Sequence, residues 1–120
     1  MKKIMVVDDA AFIRKSLRMI FEQHDFEIAG EAENGLQAVT QYKRLKPDLV
    51  TMDITMPEMN GLDAVKTIKE YDPDCQILVV SAAGRQETVR EAIVSGAKGF
   101  IVKPFSEEKV IATANKILGL

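Results

Sequence analysis

The sequence alternates between short apolar runs rich in β-branched residues and longer stretches whose apolar residues recur with the period of an α-helix. The five apolar runs cover residues 3–7, 27–32, 49–53, 76–81 and 99–103. Most of them are almost continuously apolar, which is typical of strands buried on both faces of a parallel sheet. The alternation therefore predicts an α/β fold in which helices cover both faces of a parallel sheet through right-handed crossovers.

Four stretches between these runs, and a fifth after the last run, each carry an apolar stripe at helical spacing. The stripes are Ile13, Leu17, Ile20 and Phe21; Leu36, Val39 and Tyr42; Ala64, Val65 and Ile68; Val89, Ala92 and Ile93; and Val110, Ala114, Ile117 and Leu118. Asn60 and Ser106 stand where N-caps belong, Gly96 and Gly119 stand where C-terminal caps belong, and Pro57 indicates a turn. These signals predict where the helices begin and end.

Length and charge exclude several classes of protein. A chain of 120 residues can bury a core, so residues 1–120 are expected to form one domain. It carries 16 basic and 18 acidic residues without a basic tract, which argues against nucleic-acid and membrane partners. No apolar run reaches the length of a transmembrane helix, and the single cysteine, Cys75, fits a reducing cytosol. A cytoplasmic protein is expected.

Polar residues stand at the ends of four of the five predicted strands. Asp8 and Asp9 follow the first strand, Asp53 ends the third, Ser81 the fourth and Lys103 the fifth, whereas the second has no such residue. In open α/β sheets, ligands bind outside the carboxyl ends of the strands. The topology therefore predicts that three carboxylates, a hydroxyl and an ammonium group meet at one edge.

The chemistry of such a set points to phosphoryl transfer. Clustered carboxylates repel one another, so they must share protons or hold a cation, and Mg²⁺ needs only one or two carboxylates besides a phosphate. The ammonium of Lys103 and the hydroxyl of Ser81 suit phosphate oxygens. Asp53 would then attack phosphorus and form an aspartyl phosphate.

Simpler roles are open for each residue taken alone. Asp8 or Asp9 could cap the first helix, as aspartate often does. Ser81 and Lys103 could each be no more than a solvated surface group. Only the combination favours the phosphoryl site.

The chain resembles response-regulator receiver domains, and within them the stand-alone chemotaxis regulators. The motifs are "VVDDAAF" (6–12), "TMDITMPEMNGLDA" (51–64), "VVSAAG" (79–84) and "GAKGFIVKPF" (96–105), in that order. The resemblance covers the whole chain. It implies a receiver domain over residues 1–120, with a flavodoxin-like five-stranded sheet in the order 2-1-3-4-5.

The resemblance also implies the chemistry of the acidic edge. Asp53 would be phosphorylated by a CheA-like histidine kinase. In the implied Mg²⁺ site, Asp9 is the principal carboxylate ligand and Asp8 assists through water. Asp53 and the backbone carbonyl of Thr55 are the further ligands.

Catalytic and switch residues follow from the same resemblance. Asp53, Ser81 and Lys103 would form the catalytic set, in which Ser81 and Lys103 hold the phosphoryl oxygens. Ser81 would move toward the phosphoryl group, and Phe100 would enter the space that it leaves. The peptide bond before Pro104 is expected to be cis.

The implied protein is a signalling switch rather than an enzyme, apart from Mg²⁺-dependent self-phosphorylation from small donors and self-dephosphorylation. Phosphorylation would alter the surface formed by the fourth helix, the fifth strand and the fifth helix. The expected partners are the kinase, a phosphatase and a flagellar motor switch protein, and the chain is expected to be a monomer.

Three positions depart from the common pattern of the family. Phe100 stands where many relatives carry tyrosine, so packing alone would define its inward state. Thr55 and Ala83 stand where relatives can carry amide or carboxylate side chains that orient the hydrolytic water. We therefore expect slow self-dephosphorylation and reliance on a phosphatase.

Other functions are open as alternatives. The chain could be a phosphorelay intermediate or a receiver cut from a longer regulator. A haloacid-dehalogenase-like phosphatase would need a second aspartate at the position of Thr55, and a flavodoxin-like carrier would need a first loop less acidic than "DDAAF". Met56 and Met59 are expected to contact the kinase or the phosphatase, and His24 is expected on the surface.

Overall fold

The apolar runs form five strands, each followed by a helix. The computed structural model describes residues 1–56 and 59–120, so Pro57 and the turn predicted there lie outside the described residues. The elements are β1 (Lys3–Val7), α1 (Ala11–Gln23), β2 (Glu27–Ala32), α2 (Gly35–Leu45), β3 (Leu49–Met52), α3 (Gly61–Tyr71), β4 (Ile77–Ser81), α4 (Gln86–Ser95), β5 (Gly99–Val102) and α5 (Glu107–Leu118).

The strands form one parallel sheet in the order β2-β1-β3-β4-β5, which confirms the predicted fold class and strand order. Two strands end one residue earlier than predicted. Asp53 and Lys103 follow β3 and β5 instead of ending them. Their backbone N–H groups still bond to neighbouring strands, Asp53 to the carbonyl of Val7 and Lys103 to that of Ser81. Both side chains therefore leave the sheet at its carboxyl edge.

Helices cover both faces of the sheet, as predicted. Along β1, Ile4 and Val6 face α1 and α5, whereas Met5 and Val7 face α2, α3 and α4. Both sets are buried, and this explains why the strands read as continuous apolar runs. None of the helices in the described part of the chain is long and apolar enough to span a membrane.

The predicted helix caps are confirmed. The Asn60 side chain accepts a hydrogen bond from the Asp63 amide at 3.0 Å, and the Ser106 hydroxyl accepts one from the Lys109 amide at 3.1 Å. Gly96 and Gly119 have φ angles of 124° and 73°, which a glycine adopts without steric penalty.

The apolar stripe predicted on α4 is partly wrong. Ala92 is buried, but Ile93 is 46% exposed, and the other buried residue of this helix is Ser95. Leu36 of α2 is also exposed, although the pattern places it on a buried face. Helical period identifies an apolar face but does not show whether a neighbouring element covers it.

Candidate functional site at the carboxyl edge of the sheet

The structure brings the three predicted carboxylates together. β1 and β3 are adjacent in the sheet, so the residues that follow them are neighbours in space. Asp8, Asp9 and Asp53 each place one carboxylate oxygen within 4.8 Å of the others. Asp8 and Asp53 are buried, whereas Asp9 is exposed. The cluster therefore combines buried negative charge with one group open to solvent.

Asp8 is held at both of its carboxylate oxygens. Oδ1 accepts a hydrogen bond from the Ala10 amide at 2.9 Å, and Oδ2 accepts one from Nζ of Lys103 at 2.7 Å. Ala10 is the N-cap of α1, and no side chain caps that position. Asp8 therefore stabilises the turn before the helix and does not cap the helix itself.

Lys103 connects the two buried carboxylates. Its ammonium lies 2.7 Å from Oδ2 of Asp8 and 3.9 Å from Oδ2 of Asp53. The residue follows β5, at the edge of the sheet, so its long side chain reaches back toward the ends of β1 and β3. The ammonium contacts two of the three carboxylates, so the cluster keeps an excess of negative charge.

The surroundings of Asp53 disfavour its negative charge. Its side chain is almost fully buried; burial and the charge of Asp8 raise its pKa above the ordinary value, against the opposing charge of Lys103. Oδ1 of Asp53 is 3.4 Å from both the amide and the hydroxyl of Thr55, which are long hydrogen bonds. A carboxylate in this state gains from any cation that joins the cluster.

The donor set fits a hard divalent cation. All the oxygens come from carboxylates, which Mg²⁺ prefers, and the exposed Asp9 leaves an open side for water or a phosphate. Thr55 lies beside Asp53, as a further ligand would. The role of its backbone carbonyl stays a prediction.

Ser81 and Phe100 lie on the β4–β5 side of the same edge. Ser81 ends β4 fully buried, and its hydroxyl accepts a hydrogen bond from the Ala83 amide at 3.2 Å. Phe100 pairs with Val79 across the sheet and packs, half-buried, against the core under α2, α3 and α4. Val79 and Ser81 point to the same face, so Phe100 and Ser81 share that face. Their role as a switch stays a prediction.

Several sequence-based expectations away from the acidic edge can be compared with the structure. Met56 is buried in the core, so the expectation that it contacts a kinase or a phosphatase is wrong for the described conformation. Met59 is half-buried. His24 lies on the surface at the end of α1, and Nε2 is 3.2 Å from Oε2 of Glu107. Cys75 is buried, and burial raises the pKa of its thiol, as suits an unreactive residue.

Sequence reasoning missed Arg14, and it assigned Gly61 to a turn without its close contact to Asp53. Arg14 donates a hydrogen bond from Nη1 to the backbone carbonyl of Asp8 at 2.7 Å. A Cβ atom on Gly61 would lie 2.0 Å from the carbonyl oxygen of Asp53, so only glycine lets α3 begin this close. The glycine after Asn60 indicates the close approach of α3 to Asp53. No local sequence pattern indicates the hydrogen bond from Arg14 to Asp8.

Comparison with known proteins shows that the chain is similar to one protein family over nearly its whole length. The model of the response regulator receiver domain family matches residues 4–115. Over 116 residues the chain is 56% identical to chemotaxis protein CheY of Thermotoga maritima and 53% identical to chemotaxis protein CheY of Bacillus subtilis, covering 97% of this chain and of each relative. It is also similar to a chain in the crystal structure of the CheX–CheY–BeF₃–Mg²⁺ complex from Borrelia burgdorferi. That chain has a TM-score of 0.95 and 36% identity, with 97% of this chain and 88% of that one covered.

Proposed function

The chain belongs to the response regulator receiver domain family, and from this premise we propose that it is a phospho-acceptor switch of a chemotaxis pathway in which Asp53 receives the phosphoryl group. The observation that carries the proposal is the position of Asp53, buried at the carboxyl edge of the sheet beside Asp8, Asp9 and Lys103. Receiver domains are signalling switches rather than enzymes that turn over a substrate. Family membership thus argues against the phosphatase and flavin-carrier alternatives.

In the proposed reaction, a carboxylate oxygen of Asp53 attacks the phosphorus of a phosphohistidine on a CheA-like kinase, or of a small donor such as acetyl phosphate. A new O–P bond forms as the bond from phosphorus to the donor nitrogen or oxygen breaks, and an acyl phosphate results. The ammonium of Lys103, already 3.9 Å from Oδ2 of Asp53, would hold one phosphoryl oxygen. The hydroxyl of Ser81 would hold another.

We assign the Mg²⁺ site to the acidic cluster. Asp9 would be the principal ligand because it is exposed, and Asp8 would assist through water because both of its oxygens already have partners. Asp53 and the backbone carbonyl of Thr55 would be the remaining ligands. When bound, the ion would neutralise charge on the phosphoryl oxygens during transfer. A chain of the Borrelia burgdorferi CheX–CheY complex with BeF₃ and Mg²⁺ is similar over 97% of this chain, which supports the assignment.

The proposed output is a change in the surface of α4, β5 and α5. The phosphoryl group would draw the hydroxyl of Ser81 toward Asp53 and make room for Phe100, which shares that face of the sheet. Such a shift requires only that the phosphoryl group favour one of two states. The altered surface would then bind a partner such as a flagellar motor switch protein.

The setting of the protein is part of the proposal. Residues 1–120 would form one receiver domain, monomeric and cytoplasmic, phosphorylated by a kinase and reset by a phosphatase. The two CheY relatives are chemotaxis proteins matched over 97% of their own length, which supports this setting. The similar Borrelia burgdorferi chain comes from a complex of CheX and CheY, which supports action through protein partners.

Intact mass after incubation with acetyl phosphate tests the proposal. The parent chain should gain one phosphoryl group with Mg²⁺ present and none without it. Asp53→Ala should gain none. Asp74→Ala, which removes an exposed aspartate that is not part of the acidic cluster, should behave as the parent. Phosphorylation of the Asp53→Ala chain, or none of the parent chain, would refute Asp53 as the acceptor.

The lifetime of the phosphoryl group gives a second test. Neither Thr55 nor Ala83 offers the amide or carboxylate that would orient a hydrolytic water, so we expect slow decay in the isolated protein. Thr55→Asn should shorten the lifetime severalfold, whereas Thr55→Val, of similar size but without an amide, should not. The decay is followed by intact mass after the donor is removed, and equal lifetimes in the parent and Thr55→Asn would contradict this cause.

A further inference from the structure

The guanidinium of Arg14 lies between the acidic edge and β2. Its Nη1 donates to the backbone carbonyl of Asp8 at 2.7 Å, and its Nε donates to Oε1 of Glu31 at 3.1 Å. Nη2 lies 3.5 Å from Oε1 of Glu33. Arg14 lies in the first turn of α1, and only 13% of its side chain is exposed. The planar fork of arginine can contact all three acceptors at once, which a lysine ammonium on a flexible stem cannot reproduce.

The carbonyl that Arg14 holds belongs to the peptide between Asp8 and Asp9. Because a peptide unit is planar, fixing the direction of its carbonyl fixes the plane from which the Asp9 side chain departs. The Asp8 carboxylate is held by Ala10 and Lys103. Within the described part of the chain, the Asp9 carboxylate has no hydrogen-bond or ion-pair partner. Its position therefore depends on the backbone that Arg14 orients.

Glu31 in turn orients Arg14. It accepts from Nε of Arg14 and, at 3.0 Å, from Nε of Arg18, both from α1. Burial acts to raise the pKa of Glu31, but the hydrogen bonds and charges of Arg18 and Arg14 outweigh it and lower the pKa below the ordinary value. Glu31 lies near the end of β2, paired with Val6 of β1. β2 contributes no side chain to the acidic cluster. It is linked to the cluster indirectly, because Glu31 holds Arg14 and Arg14 holds the carbonyl of Asp8.

We infer that Arg14, held by Glu31, is a positioning residue that places the Asp8–Asp9 peptide, and with it the Asp9 carboxylate, for a divalent cation. The inference rests on the proposed function of the acidic cluster and deepens it. It adds a layer of support behind the ligands, of the kind whose loss weakens metal affinity even though no ligand is removed.

Electrostatics and positioning predict opposite results when Arg14 is removed. Deleting a positive charge beside an anionic cluster should strengthen cation binding if the charge alone matters. If Arg14 positions Asp9, Arg14→Met should instead weaken Mg²⁺ binding by about tenfold. Arg18→Met is the matched control, because it removes the same charge from the same helix and the same Glu31 but no contact to Asp8. Its Mg²⁺ affinity should stay within about twofold of the parent, since a partly exposed charge is screened by salt.

The affinities are measured on the full chain by titration calorimetry with MgCl₂. Arg14→Lys keeps the charge without the fork, and it should bind Mg²⁺ nearly as weakly as Arg14→Met. In phosphorylation by acetyl phosphate, Arg14→Met should need more Mg²⁺ for half-maximal rate while the rate at saturating Mg²⁺ stays close to the parent's. Without metal, the ¹⁵N-labelled variant should show exchange broadening at the Asp9 and Ala10 amides that Arg18→Met does not show.

The outcomes separate this inference from the proposed function. An Arg14→Met chain that binds Mg²⁺ as tightly as the parent, or more tightly, overturns the positioning role and leaves the acceptor role of Asp53 intact. A parent chain that neither binds Mg²⁺ nor accepts a phosphoryl group overturns the proposed function first, and the inference with it. If Arg14→Met does not fold, Arg14→Lys takes its place, because it keeps the charge and removes only the planar guanidinium. It should bind Mg²⁺ severalfold more weakly than the parent, whereas charge alone predicts no change, and unchanged affinity would overturn the inference.

Discussion

Two neighbouring helices on the same face of the sheet, α3 and α4, are attached to it in different ways. α3 buries four residues, including Ile68 and the first glycine, Gly61. α4 is shorter by a single residue, yet it buries only Ala92 and Ser95. Its Ile93 and Val94 are 46% and 81% exposed. Apolar burial is the main stabilising term in helix docking, so α4 is held more weakly than α3.

This difference divides the functional edge into an anchored side and a loosely held side. Asp53 is on the anchored side, in backbone contact with the start of α3 and within reach of Lys103. Ser81 and Phe100 are on the side bordered by α4. Regions with few buried apolar contacts open at lower free energy than the rest of a protein. A new group on Asp53 would therefore be accommodated more easily by movement near α4 than by movement of α3, which suits the proposed output surface.

The largest expected effect comes from shortening an apolar side chain on each of the two helices. Ile68→Ala leaves a cavity in a packed interior and should lower the free energy of unfolding by about 3–4 kcal/mol. Ile93→Ala, the same change on α4, should lower it by less than about 1 kcal/mol, because the side chain is already half in water. Urea denaturation measures both. Similar losses for the two variants would mean that α4 is packed as firmly as α3, against the division drawn above.

A smaller effect is expected where the backbone enters each helix. A Cβ on Gly61 would lie 2.0 Å from the carbonyl oxygen of Asp53, whereas a Cβ on Gly84, before α4, would meet only the side chain of Val102, at 2.8 Å. Gly61→Ala should therefore destabilise the protein by about 2–3 kcal/mol, because backbone atoms must move apart. Gly84→Ala should lie within about 1 kcal/mol of the parent, because an exposed valine can shift and alanine restricts the unfolded chain.

The same pair of glycine variants also tests the site. Because the clash at Gly61 falls on the residue proposed to accept the phosphoryl group, Gly61→Ala should slow phosphorylation by acetyl phosphate and Gly84→Ala should not. Rates are compared at a temperature where both variants remain folded by circular dichroism. A Gly61→Ala chain that is as stable and as reactive as the parent would show that α3 can move away from Asp53 at little cost.

The site residues of the anchored side could be predicted from the sequence, because each is marked by the apolar run beside it. Asp8, Asp9, Asp53 and Lys103 each follow a recognisable apolar run, and parallel topology places the ends of such runs on one edge. The strand order itself came from the family resemblance and not from periodicity, since the alternation of strands and helices is compatible with other orders.

The exposure of Ile93 and the contacts of Arg14 could not be predicted from the sequence, because both depend on which elements pack against these residues. Periodicity predicts a buried position for Ile93 as it does for Ile68, and only the packing of α4 shows that nearly half of the Ile93 side chain stays exposed. Arg14 reads as a solvated residue on the polar side of α1. Its contacts to Asp8 and Glu31 arise because the register of β2 against β1 brings Glu31 under the helix.

The smallest expected effect concerns the charge that the anchored side holds. Burial and Asp8 raise the pKa of Asp53, so between its ordinary pKa of about 3.9 and the higher folded value the native chain binds more protons than the unfolded chain. Stability contributed by this group therefore falls as pH rises through that window, and the loss is complete at higher pH. Asp53→Asn, which is nearly isosteric, should unfold at higher urea concentration than the parent at pH 7 in Mg²⁺-free buffer.

That advantage should shrink as the pH is lowered and vanish below the ordinary pKa of about 3.9, where the carboxyl is protonated in both states. Asp74→Asn, which removes an exposed charge of the same sign, should leave the urea midpoint close to the parent's at every pH. An Asp53→Asn chain that is less stable than the parent at pH 7 would mean that the attraction of Lys103 outweighs burial. The anchored side would then owe part of its rigidity to the charge of Asp53, and phosphorylation, by changing that charge, would act on α3 as well as on α4.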